Sequence, residues 1–124
     1  MTKEEYKKIY AEKTAQIYHL KSELLRMKKE FIREHQHIKQ LPVKIHFIQQ
    51  IKDRRNEIQT YESDAYVINY DILENIVYPV LKEVKKNGEM SSREYHYCKY
   101  GIFKYWEIGK EDVVYEIDFK MNND

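Results

Sequence analysis

The stretch Val43-Lys44-Ile45-His46-Phe47-Ile48-Gln49-Gln50-Ile51-Lys52-Asp53-Arg54-Arg55-Asn56-Glu57-Ile58-Gln59-Thr60-Tyr61 can be read at two periods, and the fold turns on the choice. As a helix, Phe47, Ile51, Ile58 and Tyr61 share one face at spacings of 4 and 7, with Lys52, Asp53, Arg55 and Asn56 off it. As a strand, Val43, Ile45 and Phe47 alternate with Lys44 and His46. We take the helical reading, which makes Pro42 the corner of a helical hairpin.

Upstream of that corner, Tyr6, Tyr10, Ile17, Leu20, Leu24, Met27, Phe31, Ile38 and Leu41 follow a near-continuous 4-3 alternation, broken only at Lys13 and Glu34. This is a coiled-coil seam. No Gly or Pro interrupts Thr2 to Gln40, which predicts one helix of about 55 Å against a domain diameter of about 26 Å. A second helix of about 30 Å would leave about 25 Å of seam uncovered.

With Tyr10, Ile17, Leu24 and Phe31 at heptad position a, the e positions hold Lys7, Thr14, Lys21, Lys28 and His35. The g positions hold Ile9, Gln16, Glu23, Glu30 and His37. A parallel pair sets Glu23 against Lys28, Gln16 against Lys21 and Glu30 against His35, whereas an antiparallel pair sets like charges together. The edges therefore favour a parallel homodimer, with Ile17, Leu20, Leu24, Met27 and Phe31 as its association seam.

Downstream, Glu62 to Asp64 reads as a polar break. Asp71 as N-cap, then Leu73, Ile76, Val77, Val80, Leu81 and Val84, and the stop Asn87-Gly88 predict a third helix that Pro79 would kink. Ile102–Ile108 and Val113–Phe119, joined by Gly109-Lys110-Glu111-Asp112, predict a β-hairpin. Residues 93–100 fit a strand, through Tyr95 and Tyr97, or a short helix opened by the capping pair Ser91 and Glu94. The expected fold class is α+β: a long coiled-coil-like N-terminal helix and helical hairpin, then a helix and a C-terminal antiparallel β-hairpin or small sheet. Residues 1–62 form the association region and residues 63–124 the smaller α plus β region.

At 124 residues with 42% apolar content the chain can bury a core, and its 12 Tyr, 4 Phe and 1 Trp argue against disorder. Cys98 is the single cysteine, so neither an intramolecular disulfide nor a thiolate zinc cluster forms. No apolar run reaches membrane-span length and Lys3, Glu4, Glu5, Lys7 and Lys8 open the chain, which predicts a cytoplasmic protein without membrane contact. Seventeen Lys against five Arg is a skew that AT-rich codons produce, as in a low-GC bacterium or its phages. The net charge of +1 hides an asymmetry: residues 1–56 carry 14 basic and 7 acidic residues, while residues 57–124 carry 8 and 14. Such polarity suits an acidic partner, a polyanion or a second copy.

Candidate chemistry is sparse. Glu34-x-x-His37 has the spacing of carboxylate-bridged metal sites in helical bundles, but no second Glu-x-x-His exists to complete one. His35, His37 and His46 flank the Pro42 corner, where imidazoles that met would bind zinc or sense pH. Cys98 needs a base such as His96 and an orienting group to act as a nucleophile. There is no Gly-rich phosphate loop and no nucleophile elbow.

The order of helix 72–87, turn Gly88-Glu89-Met90, short helix and hairpin looks like a winged helix-turn-helix, which implies DNA or RNA binding through Arg54, Arg55, Arg93 and Lys99. The acidic balance of that half opposes it. The leading expectation is a non-enzymatic small regulator, inhibitor or assembly component. It needs no cofactor or metal and binds a second copy of itself and another protein.

Overall fold

Thr2 starts the one long helix. Its hydroxyl accepts from the Glu5 N–H at 3.1 Å and its carbonyl from the Tyr6 N–H at 3.0 Å. Glu4 and Glu5 follow in the first turn, where the positive end of the helix dipole favours carboxylates. The computed structural model describes residues 1–96 and 101–119, and in it α1 runs Lys3–His35. The chain divides into two units, Met1–Glu34 and His35–Asp124.

α1 stops short of the expected Gln40, so Ile38 is not on the seam; it is buried in the second unit, its N–H donating to the Tyr70 hydroxyl at 3.2 Å. There a single antiparallel sheet is built from β1 (Val43–Lys52), β2 (Ile58–Leu73), β3 (Ile76–Val84), β4 (Met90–Tyr95), β5 (Ile102–Glu107) and β6 (Tyr115–Asp118). The spatial order is β4-β3-β2-β1-β5-β6.

The helical hairpin is overturned: the second helix expected over Val43–Tyr61 is β1, a turn and the start of β2. Val43–Lys52 holds one Val, three Ile and one Phe, types that lose rotamer freedom in a helix and fit a pleated surface. Its true period is 2, since Ile45, Phe47 and Gln49 are buried while their neighbours are half-buried. Asp53 organises the turn, its Oδ1 accepting from the N–H groups of Arg55 at 2.8 Å and Glu57 at 2.9 Å. The Glu62–Asp64 break lies inside continuous strand β2.

The third helix is overturned as well. Leu73 pairs with Ile76 across Glu74-Asn75, where Glu74 takes φ 56°, so its expected span holds the end of β2, a tight turn and β3. Asn87-Gly88, read as a helix stop, is the β3–β4 turn: the Gly88 N–H donates to the Lys85 carbonyl at 2.9 Å and Gly88 takes φ 86°. Pro79 sits in β3 opposite Tyr70 of β2, inside a strand and not at a helix kink. The winged helix-turn-helix order falls with these helices. Among the described residues α1 is the only helix.

β5 and β6 pair antiparallel with Phe103 opposite Ile117, and Phe103 also faces Gln49 of β1. The inner face of the sheet carries Ile45, Phe47, Ala65, Val67, Leu81, Phe103, Tyr105 and Ile117, all buried. Each large side chain buried there stabilises the fold by roughly 1.5–3 kcal/mol. A flat sheet could not cover them. β3 and β6 would lie about 19 Å apart in a flat sheet, yet the Tyr78 ring lies 5.8 Å from that of Phe119, just after β6. The sheet is therefore rolled so that its inner face closes on itself.

Candidate functional site

α1 presents the expected seam. Ile17, Leu20, Leu24 and Met27 are all more than half exposed, Phe31 is half-buried, and no residue of the helix is buried. The edges carry exposed i,i+4 contacts, His19 Nε2 to Glu23 Oε1 at 3.2 Å and the ion pair of Arg26 Nη1 with Glu30 Oε1 at 3.5 Å. Such pairs are worth only tenths of a kcal/mol and leave Glu23 and Glu30 able to face a partner. A helix in water draws most of its stability from packing one apolar face, and no residue of α1 is buried.

Where the interior of the rolled sheet reaches the surface, buried Tyr70 and Tyr105 meet His37, whose outer side is exposed. Tyr105 of β5 lies 2.9 Å from the Tyr70 hydroxyl of β2 and 2.6 Å from His37 Nδ1, which precedes β1. The Ile38 N–H donates to Tyr70, so Tyr70 O–H can donate to Tyr105 and Tyr105 O–H to a neutral His37. Burial, with Lys39 nearby, pushes the His37 pKa below its ordinary 6.5, which favours the neutral acceptor. Burial pushes Tyr70 up to about 12, so it stays a protonated donor at neutral pH. The His37 ring stacks on Tyr115 at 4.7 Å. This network satisfies buried polar groups and orders the core.

On the outer face His46 lies between two carboxylates. Register places it opposite Asp64 on β2 and Trp106 on β5, with Glu62 diagonal. Nδ1 is 2.7 Å from Asp64 Oδ1 and Nε2 2.6 Å from Glu62 Oε1, while the Trp106 ring lies 5.1 Å away. Hydrogen bonds and charge from Asp64 and Glu62 raise the His46 pKa above 6.5, burial opposing them, so the imidazolium is favoured. Both nitrogens are occupied and point away from each other. The described residues hold no group of three His, Cys, Asp or Glu placed to bind a metal ion.

The three histidines near Pro42 do not meet at one site: His35 and His37 line a common cleft, and His46 pairs elsewhere with Asp64 and Glu62. His37 faces the inner Tyr105, His46 lies on the outer face, and His35 lines a cleft with His37, Val77 and Ile117. The Glu34-x-x-His37 spacing is lost because α1 ends at His35. His96 Nδ1 is 2.8 Å from the Tyr78 hydroxyl, while Cys98 and Lys99 lie outside the described residues. Arg54 and Arg55 lie in the β1–β2 turn and Arg93 on β4, its guanidinium 5.2 Å over the Tyr95 ring. Arg54 and Arg55 thus lie on one element and Arg93 on another.

A further concavity of about 330 Å³ lies where β1 and β2 run together, lined by Phe47, Gln49, Ile51, Tyr61, Ser63 and Glu83 among others. The tyrosine network and the His46 pairing escaped the sequence reading, since both depend on strand register. The signal for His46 was present as the alternation Glu62-x-Asp64. No helix among the described residues is long and apolar enough to cross a membrane. Comparison with known protein families, curated proteins and solved structures finds no match to this chain.

Proposed function

We propose that this chain is a non-enzymatic protein-interaction module that self-associates through α1 as a parallel coiled coil and carries a rolled β unit on each copy. The observation behind it is the exposed seam Ile17, Leu20, Leu24 and Met27, continued by half-buried Phe31, on a 33-residue helix that buries none of its residues. The second copy is favoured as occupant by charge. Parallel alignment brings Glu23 to Lys28 and Glu30 to His35, whereas antiparallel alignment opposes Glu to Glu and Lys to Lys. Each pair is worth about 0.2–1 kcal/mol, enough to choose orientation while the apolar seam supplies affinity. The module acts by stoichiometric binding, as a small regulator, inhibitor or assembly component does.

Replacing Leu24 with Lys puts a charge at the centre of the seam. Sedimentation equilibrium of the intact chain and of Leu24→Lys tests the reading: an oligomer reduced to the 15.3 kDa monomer supports it. An unchanged mass refutes it.

A further inference from the structure

We propose that the open edge of β2 over residues 58–64 is a docking site for an extended segment of a partner protein whose side chains alternate apolar and basic. This deepens the reading of the chain as a protein-binding module and is independent of its self-association.

β1 pairs with β2 from Val43 opposite Val67 to Lys52 opposite Ile58, but β3 joins the other side of β2 only at Ala65 opposite Glu83. Among the described residues, positions 58–64 thus have a strand on one side only, an open edge of about 23 Å. Proteins usually guard such an edge with Lys, Pro, a bulge or a cover. Ile58-Gln59-Thr60-Tyr61-Glu62-Ser63-Asp64 contains neither Lys nor Pro, and the β2 bulge lies beyond it, between Val67 and Asn69. All seven residues are exposed, with Ile58 58% and Tyr61 54% exposed. Glu62 and Asp64 turn to His46 on their own sheet.

The two faces of that edge set the partner's chemistry. On the inner face, Tyr61 and Ser63 border the apolar concavity floored by Phe47, Gln49 and Ile51. A strand added to β2 would send alternate side chains into it. On the outer face the intervening side chains would pass Glu62 and Asp64, two carboxylates that share the single charge of His46. Basic side chains fit there, and the excess of 14 acidic over 8 basic residues in 57–124 favours them further. A second copy is the poorer occupant. Antiparallel pairing of two β2 edges about Tyr61 sets Glu62 against Thr60 and Asp64 against Ile58 and brings no cation.

The probe is the capped peptide Lys-Val-Lys-Tyr-Lys-Val-Lys, with a control of equal charge in which both valines are proline. Binding is followed by amide hydrogen exchange of the intact chain and, in parallel, of Leu24→Lys. New protection confined to residues 58–64, equal in both proteins, with the proline peptide about tenfold weaker, supports the proposal. Tyr61→Ala and Glu62→Gln should each weaken binding about threefold or more. Three results overturn it: no protection of 58–64 at saturating peptide, equal binding of the proline peptide, or concentration-dependent protection of the edge without peptide. The last would make the edge an interface between copies. Because Leu24→Lys tests self-association separately, failure of the helix reading and failure of the edge reading are distinguishable.

Discussion

Gly101, at the entry to β5, has the least room for change. It takes φ +75°, and a Cβ there would lie 1.9 Å from the Gln50 carbonyl oxygen and about 3 Å from the next backbone atoms of β1. Two costs follow for Gly101→Ala. A left-handed conformation costs a non-glycine residue about 1–2 kcal/mol. Relieving the overlap must move β1 or β5 backbone, since no flexible side chain is there to yield, and such overpacking costs about 1–3 kcal/mol. The sum, about 2–5 kcal/mol, is a large part of the roughly 5–15 kcal/mol that holds a domain of ordinary stability. Gly88 supplies the control: it takes φ +86° with nothing within 4 Å of an added Cβ, so Gly88→Ala carries the conformational cost alone. Urea unfolding followed by the fluorescence of Trp106, the only tryptophan, measures both. Gly101→Ala should be the less stable by about 1–3 kcal/mol. Equal destabilisation by the two variants would refute the close approach of β5 to β1.

The two perturbed histidines pull stability in opposite directions with pH. The pKa of His46 is raised by Asp64 and Glu62, so its contribution is fully present below about 6.5 and lost as pH rises through the folded value. The stability gap between wild type and His46→Gln, read from urea titrations, should therefore shrink from about pH 6 to about pH 9. The pKa of His37 is lowered by burial, so the network it accepts into weakens as pH falls from 6.5 towards its folded value, and His37→Gln should abolish that component. Tyr105→Phe removes the donor to His37 and the acceptor for Tyr70 at once, and should cost about 1–3 kcal/mol in the same titration. Lys28→Glu places like charges opposite Glu23 in a parallel pair and should weaken the oligomer in sedimentation at low salt, an effect that high salt reduces.

The long helix was legible because its signal is redundant. Tyr10, Ile17, Leu24 and Phe31 repeat over four heptads with good helix formers between them, and one off-pattern residue changes nothing. The segment from Val43 to Tyr61 offered only four matches to a helical face, and Val43, Ile45 and Phe47 in the same segment satisfied a strand. β-Branched content, present as Val43, Ile45, Ile48 and Ile51, favoured the strand and carried more physical weight than the spacing. In 71–88 the punctuation misled: Asp71, Pro79 and Asn87-Gly88 serve a helix start, kink and stop as readily as two hairpins with a proline inside the shared strand. The tyrosine network joins residues 35 and 68 apart in sequence, and the His46 pairing depends on a ten-pair register. The first leaves no local pattern, and the second leaves only the alternation Glu62-x-Asp64, which does not name its partner.

The parallel pairing of α1 is most directly tested by a thiol at its start. Lys3 occupies heptad position a, so in a parallel pair the two Lys3 sites face each other, whereas in an antiparallel pair they lie about 50 Å apart. With Cys98 replaced by Ser, Lys3→Cys should form a reducible dimer under mild oxidation on a non-reducing gel. A protein that remains entirely monomeric on that gel, at concentrations where the native chain sediments as an oligomer, would contradict the parallel coiled coil.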